Sequence, residues 1–457
     1  MATAAAQPRG LSLIGHLGRL TPSGRAGIPV AWALYDFANT IYSYAIVSYA
    51  MGLWLTDDHR LGAADGQLWF GIANAVSVGL NALVSPVLGA MSDRGGRRLP
   101  YLLFFTTQTI IASGAIGLIA SGTGSGPAFI GIVLFAIANF GYQAALIYYD
   151  ATLPVVSRPE SRGRVSGIGV ATGYLGTILI AVLILIADSG TSALTFYMAA
   201  VLFALFAAPI FLFVKEPPGT GERFRARDAI ASWSQLRTTL RHAGEVPGLR
   251  RFLVGRFFYT DPVNTVIVVM STFAVNAIGF TKAEANLVLL GLTIAAVIAS
   301  FGWGFLVERI GPKRTLMIVL ASWCVGLVIG GAVLSKPTFL LAGILLGSGL
   351  GGVWTSDRVF MLRLSPPDRI GEFFGLYGLA GKFSAVTGPV LYGATVSYLL
   401  NQGWGSGAYQ VGIFTFLILM VIGVWLLRGV PDRPSEGDTD RLKAASAPFV
   451  EPAEGTF

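Results

Sequence analysis

Seven ionisable side chains lie inside segments apolar enough to be buried in lipid or protein: Asp36, Asp150, Arg256, Asp261, Asp357, Arg358 and Lys382. An ionised group near the centre of a bilayer costs about +2.5 to 3.5 kcal/mol even on lenient insertion scales. Each therefore needs a partner, a water-filled cavity or a function. A buried carboxylate can take a proton, a cation or a substrate amine, and a buried cation can hold a substrate carboxylate or neutralise an acid. Asp36 and Asp261 occur in matching runs, Asp36-Phe-Ala-Asn39-Thr40 and Asp261-Pro-Val-Asn264-Thr265. The three-residue spacing puts carboxylate and amide on one helical face. Arg256 stands five residues before Asp261, only roughly on its face, so burial and a neighbouring cation both remain possible governors of that carboxyl. Lys382 lies about ten residues into its apolar segment, ~15 Å at the helical rise, or half of a ~30 Å hydrocarbon core. It reads either as a clamp for a substrate carboxylate or as half of an ion pair. Tyr35 and Tyr42, seven apart, share a face, and with Trp354 they are candidates for lining a pathway; packing is the plainer role for such aromatics.

The elements that must position these groups are long apolar helices. The chain is 54% hydrophobic and only 12% charged, whereas a soluble domain has about 25% charged residues. Windows long enough to span the hydrocarbon fall near 30–55, 67–91, 100–121, 127–150, 166–187, 192–214, 252–279, 285–307, 315–334, 337–362, 373–399 and 408–427. With residue 1 inside, cytoplasmic loops and tails hold 26 of the 32 Lys and Arg, and the opposite loops hold Arg60, Lys282 and Lys336. That asymmetry places both ends in the cytoplasm. The net charge of +8 is thus a topology signal, and nucleic-acid binding is not expected.

Other chemistries lack their residues. No GxxxxGK[ST] loop is present, so ATP-driven transport by this chain alone is not expected. His16, His59 and His242 fall outside the spans and the single Cys324 stands alone, which leaves no metal site and no intramolecular disulfide. No nucleophile elbow occurs in a strand–turn–helix setting, so the chain reads as no enzyme and needs no cofactor.

The organisation is a duplication. Gly89, Asp93, Arg94, Gly96, Arg97, Arg98 recurs 215 positions later as Gly304, Glu308, Arg309, Gly311, Lys313, Arg314, with Pro312 inserted before the second basic pair. Pro159, Gly163, Gly167 and Gly173 match Pro367, Gly371, Gly375 and Gly381 at an offset of 208. Duplicated halves in a membrane protein point to a transporter. The halves are expected at 30–214 and 252–428, joined by a polar cytoplasmic linker, 215–251, whose run Trp233 to Leu240 suggests a surface helix; 1–29 and 429–457 read as cytoplasmic tails. In the hexads, Asp93 and Glu308 suit pairing with Arg at helix ends, locking one conformation, so that Asp93, Arg94, Arg97, Arg98, Glu308, Arg309, Lys313 and Arg314 read as gating residues; Gly89 and Gly304 suit tight helix contact, and Gly96 and Gly311 a sharp turn. Asp150, Asp357 and Arg358, near the cytoplasmic ends of their spans, read as gate ion pairs, joined by the loop residues Glu160 and Asp368.

Three runs carry a closer likeness: Trp32-Ala-Leu-Tyr35-Asp36-Phe-Ala-Asn39, Arg162-Gly163-Arg164-Val165-Ser166-Gly167, and Glu372-Phe-Phe-Gly375-Leu-Tyr377 continuing to Gly381-Lys382. With the hexads they resemble the major facilitator superfamily, in its branch of autophagy-related vacuolar amino-acid effluxers and related bacterial permeases. The resemblance covers residues 30–428. It implies an all-α polytopic fold of about twelve transmembrane helices in two pseudo-symmetric six-helix halves. The first, fourth, seventh and tenth spans would line a central cavity, and six of the seven charges fall on those four. It further implies a monomeric integral membrane protein of a plasma, inner or vacuolar membrane that carries a small molecule by alternating access, coupled to a proton or cation. A zwitterion such as an amino acid would fit Lys382 together with Asp36, Asn39, Asp261 and Asn264, and the family points toward export. Sugars, peptides, drugs and a non-transporting sensor stay open as alternatives.

Overall fold

A computed structural model of the chain describes residues 27–95, 97–158, 162–216, 218, 226–365 and 370–432. The first helix, α1, runs as Gly27–Tyr42, loosens to π-helical winding over Ser43–Ala50 and ends as Met51–Leu55. It is followed by α2 (Gly62–Gly95), α3 (Leu99–Ile119), α4 (Ser125–Ala151), α5 (Arg162–Ile186) and α6 (Ala193–Phe213). A linker helix α7 (Ala226–Glu245) leads to α8, which is Leu249–Thr272 with a π-helical end at Phe273–Ala277. Then come α9 (Lys282–Ile310), α10 (Pro312–Ala332), α11 (Lys336–Leu364), α12 (Ile370–Asn401) and α13 (Gly407–Arg428). Eleven of the described helices are singly long and apolar enough to cross a membrane. The continuous but unevenly wound α1 makes the twelfth.

Local sequence sets the helix ends. Thr281 and Glu284 form a reciprocal capping box at the start of α9, and Pro312 opens α10 directly after Gly311, whose φ of 90° makes the turn between the two helices. Such caps satisfy donors that a helix start leaves unpaired, and glycine reaches that φ without strain.

The packing repeats itself. In the first half α1 packs on α5 and α6, α2 on α4, and α3 on α4 and α6; in the second α8 packs on α12 and α13, α9 on α11, and α10 on α11 and α13. The halves meet along three seams, α2 with α12, α5 with α9 and α1 with α8. At the first seam a Cβ on Gly71 would lie 2.3 Å from the Pro389 carbonyl oxygen, so only glycine permits that approach. Gly89 and Gly304, expected at tight contacts, instead face open space: among the described residues a Cβ there meets nothing within 4 Å. Close packing falls further inside the bundle, as at Gly71.

Chain parity gives the bundle two ends. The tail end carries the linker helix, which packs on α2 and α12. The distal end carries the turns after α1, α3, α5, α8, α10 and α12.

Candidate functional site

The distal end is shut by contacts between the halves. Lys282, first residue of α9, places Nζ 3.1 Å from Asp57 Oδ2 and donates to Thr191 Oγ1 at 3.2 Å. Tyr49 OH donates to the Lys282 carbonyl at 2.8 Å, Tyr44 OH to Asn286 Oδ1 at 2.6 Å, and Asn286 Nδ2 to the Ala181 carbonyl at 2.8 Å. Burial pushes the Asp57 carboxyl up, but the Lys282 hydrogen bond, the His59 N–H and the charges of Lys282 and Arg60 together hold it below its ordinary value. The Asp57 carboxyl is therefore ionised at neutral pH.

Behind the latch lies a cavity of about 250 Å³ between the halves. The first half contributes hydroxyls: Thr40, Ser43, Tyr44 and Ser48 from α1, Tyr174 and Thr177 from α5. The second half contributes a mostly apolar wall, including Val266, Met270, Leu292, Leu350 and Trp354. Among the described residues no Asp, Glu, Lys, Arg or His lines it.

One helical turn nearer the tail end the chemistry changes. Asp36 precedes Thr40 by four residues on α1, and Arg358 follows Trp354 by four on α11, so each stacks about 6 Å along its helix from a cavity residue. Asp150 and Arg358 are exposed, Asp36 and Lys382 half-buried. Asp150 feels the charges of both Lys382 and Arg358, and Asp36 feels Asp150. Asp150 of the first half thus lies within electrostatic reach of two bases of the second, and Asp36 within reach of Asp150; among the described residues none of the four makes an ion-pair contact. Lys382 Nζ is held across the halves by Asn81 Oδ1 at 3.0 Å. Among the described residues no ion pair joins the halves at the tail end. Contacts between the halves close the path distally.

The family of models that describes Atg22-like vacuole effluxers matches residues 70–438. The chain belongs to the Atg22-like vacuole effluxer family. It is 26% identical over 426 residues to the uncharacterised MFS-type transporter YxiO of Bacillus subtilis, covering 89% of this chain and 95% of that one. Autophagy-related protein 22 of Coccidioides immitis is 24% identical over 322 residues, or 64% of this chain; the match spans about half (51%) of the fungal protein. Among solved structures, the nucleoside transporter NupG has a TM-score of 0.68 at 13% identity, covering 88% of this chain and 99% of its own. A D-xylose-proton symporter gives 0.67 at 15%, covering 89% and 98%. The fold is that of the major facilitator superfamily, and the chain is an MFS-type membrane transporter, not an enzyme.

Within this Atg22-like chain the residues singled out from sequence separate into distinct places. Trp354 lines the cavity, and Asp36, Asp150, Arg358 and Lys382 form the charged vestibule. Tyr35 lies inside the first half, its hydroxyl 2.6 Å from Thr106 Oγ1 and its ring stacked on Tyr149. Asn39 is buried there too. Asn264 donates to the Gly381 carbonyl and Ser384 Oγ, both at 3.3 Å. Asp261 is turned away from the vestibule and accepts the Gly388 backbone N–H at 2.7 Å.

Asp357 is sealed within the second half. Arg256 Nε lies 3.1 Å from Asp357 Oδ2, and Tyr377 OH donates to Oδ1 at 2.6 Å. The Arg256 guanidinium also covers the Tyr377 ring at 3.6 Å and donates to its carbonyl. Arg256 therefore serves Asp357, not Asp261. In the hexads, the side chains of Asp93 and Arg94, like Gly96, Glu160 and Asp368, lie outside the described residues. Arg97 is exposed; the Arg98 and Leu99 backbone N–H groups donate to the Glu216 carboxylate at 2.8 Å, an α3 cap. Glu308, Arg309 and Arg314 are exposed, and Lys313 donates to the Val430 carbonyl.

Sequence reasoning missed Tyr174, Asn286, Asp57 and Glu216, while Tyr44, one of the first-span tyrosines, lines the cavity. One signal was available for the latch: the 225-residue offset that aligns Asp36 with Asp261 also aligns Asp57 with Lys282. The duplication put an acid and a base at the same position of opposite halves.

Proposed function

We propose that this chain is a secondary transporter of zwitterionic solutes with a bulky apolar side chain, that is, aliphatic or aromatic amino acids, acting as a monomer by alternating access. One observation carries the reading: a metabolite-sized cavity is apolar on one wall and hydroxyl-bearing on the other, with Asp36 and Arg358 one helical turn from its lining residues Thr40 and Trp354. The solute's apolar part sits in the cavity. Its ammonium faces Asp36 and Asp150, and its carboxylate faces Lys382 and Arg358. At about 250 Å³ the space falls below the ~300–1,000 Å³ of drug-sized sites, which disfavours peptides and drugs. A sugar would leave hydroxyls unpaired against Val266, Met270 and Leu350 at a cost of about 1–3 kcal/mol for each unsatisfied group.

The tail end is assigned to the cytoplasm on the positive-inside bias. The likeness to vacuole effluxers favours movement out of the cytoplasm or out of a storage compartment. The test is counterflow in proteoliposomes with labelled L-leucine, L-phenylalanine, D-xylose and uridine. Saturable exchange of the two amino acids alone is expected. Exchange of xylose or uridine without either amino acid would refute the substrate assignment and leave the transport assignment standing.

A further inference from the structure

The duplicated Asp-x-x-Asn-Thr motif packs on the fifth helix of each half, against non-equivalent glycines, and ends in two different environments. In each half its helix lies on the glycine-bearing face of the fifth helix. A Cβ on Gly169 would come 3.2 Å from Asp36 Oδ2, and one on Gly388 would come 2.8 and 2.9 Å from the two Asp261 oxygens. Asp36 is half-buried at the edge of the vestibule. Asp261 is 1% exposed. Its Oδ1 accepts one backbone N–H, and its Oδ2 has no hydrogen-bond partner.

Among the described residues no cation is paired with Asp261. On its own helix, Arg256 and Tyr259 are turned to Asp357, and so is Tyr377 of α12. Lys382 of α12 is bonded to Asn81, while Tyr44 and Tyr49 of α1 are bonded to α9. Tyr392 and Tyr409 face each other between α12 and α13. Glu284 of α9 is paired with Lys336 of α11 at the distal end, and Arg358 of α11 faces the vestibule. Arg237, Arg241, His242 and Glu245 of the linker helix lie at the tail end. No second carboxylate joins Asp261 to make a metal-binding cluster among the described residues. A buried carboxylate with one donor, one bare oxygen and no counter-ion is a group whose charge is expensive to keep.

We infer that Asp261 is the proton-binding site that couples transport, that the proton is carried on Oδ2, and that Asp36 has kept the substrate-facing role alone. This rests on the alternating-access reading above. The structural output is local. When Asp261 is ionised, the Gly388 N–H makes a charge-assisted bond to it; a proton on Oδ2 removes that charge and weakens the bond. The next residue, Pro389, has no N–H to offer the helix, and its carbonyl oxygen lies against Gly71 of α2. The protonation state therefore acts on α12 where it touches the other half.

The readout is the infrared difference spectrum of the full chain in lipid nanodiscs between acid and alkaline pH, without substrate. A protonated-carboxyl band should appear that is lost in Asp261→Asn, kept in Asp36→Asn, and moved in frequency in Asp261→Glu. The asparagine is isosteric and still accepts from Gly388. Should it nevertheless fail to fold, the glutamate variant decides, since a band that does not move overturns the assignment. A band unchanged in Asp261→Asn, or lost only in Asp36→Asn, overturns it as well. A band displaced by sodium at fixed pH overturns the proton in favour of a cation. In proteoliposomes, Asp261→Asn should lose pH-gradient-driven accumulation of L-phenylalanine and retain equal-concentration exchange; loss of exchange too would overturn the coupling role. Wild-type vesicles that move no amino acid while the band persists would instead sink the substrate assignment.

Discussion

Replacing Asp357 with Ala tests whether this residue closes a gate or holds the second half together. Its carboxylate is fully buried and takes the Arg256 Nε at 3.1 Å and the Tyr377 hydroxyl at 2.6 Å. Without it, a guanidinium whose side chain is 4% exposed keeps only the Tyr377 carbonyl and ring. Removing one partner of a buried ion pair costs about 3–5 kcal/mol. A 150–250-residue unit loses about 2–4 °C of melting temperature for each kcal/mol, so the variant should melt about 6–20 °C below the wild type. Tyr377→Phe removes one hydrogen bond to a charged acceptor, about 1.5–3 kcal/mol, and should melt about 3–12 °C lower. Arg256→Met combined with Asp357→Leu removes both charges and should recover most of the loss, because apolar replacements of a buried pair are often neutral. The assay is intrinsic-fluorescence melting in detergent, with transport of the same preparations. An Asp357→Ala protein that melts like the wild type yet cannot alternate would refute the structural role and restore the gate.

Two further outcomes follow from the halves' contacts. Lys282→Ala removes a part-exposed pair whose contribution is about 0–1 kcal/mol, so distal-side labelling of a Ser48→Cys reporter should rise by up to about fivefold. Because Asp57 is held below its ordinary value, the latch's contribution is present above that value and is lost only as pH falls through the lowered one. Labelling of the reporter in the wild-type latch should therefore stay flat from pH 7 to 5, and a rise over that interval would count against the ion pair. Gly71→Ala forces a Cβ to 2.3 Å from the Pro389 carbonyl, and overpacking of this kind costs about 1–3 kcal/mol; an unchanged melting temperature would show that the α2–α12 seam yields freely.

What the sequence made legible was periodicity, burial and duplication. The spans, the basic asymmetry and the intramembrane charges all follow from the cost of placing polar groups in hydrocarbon, which depends on residue type alone. Partner choice does not. Arg256 and Asp261, five residues apart, diverge by about 140° around the helix, which sends one side chain to α11 and the other to α12. The spacing of Tyr35 and Tyr42 correctly gave a shared face, but that face turns into the first half's own core, while Tyr44 meets the cavity. Which way a helix is rotated is set by its neighbours' volumes, and those come from residues far away in the chain. The hexads illustrate the same limit at a helix end: the carboxylate that caps α3 is Glu216, from the far end of α6, more than a hundred residues after the motif it serves.

Duplication creates equivalent positions, and function needs them to differ. A transporter with two identical halves would offer a symmetric cavity with the same affinity at every stage, and nothing would tie a driving ion to one conformation. Here the divergence is concentrated at aligned positions. Asp57 meets Lys282 and locks one end; Asp36 stays at the water's edge while Asp261 is shut away behind Gly388. The hydroxyls of α1 and α5 face the aliphatic and aromatic wall of α8, α9 and α11. Each difference is a change of side chain or of exposure on a backbone arrangement that remains repeated. On the transport cycle proposed above, the repeated backbone lets the halves rock as equivalent bodies, and the changed side chains supply the latch and the site.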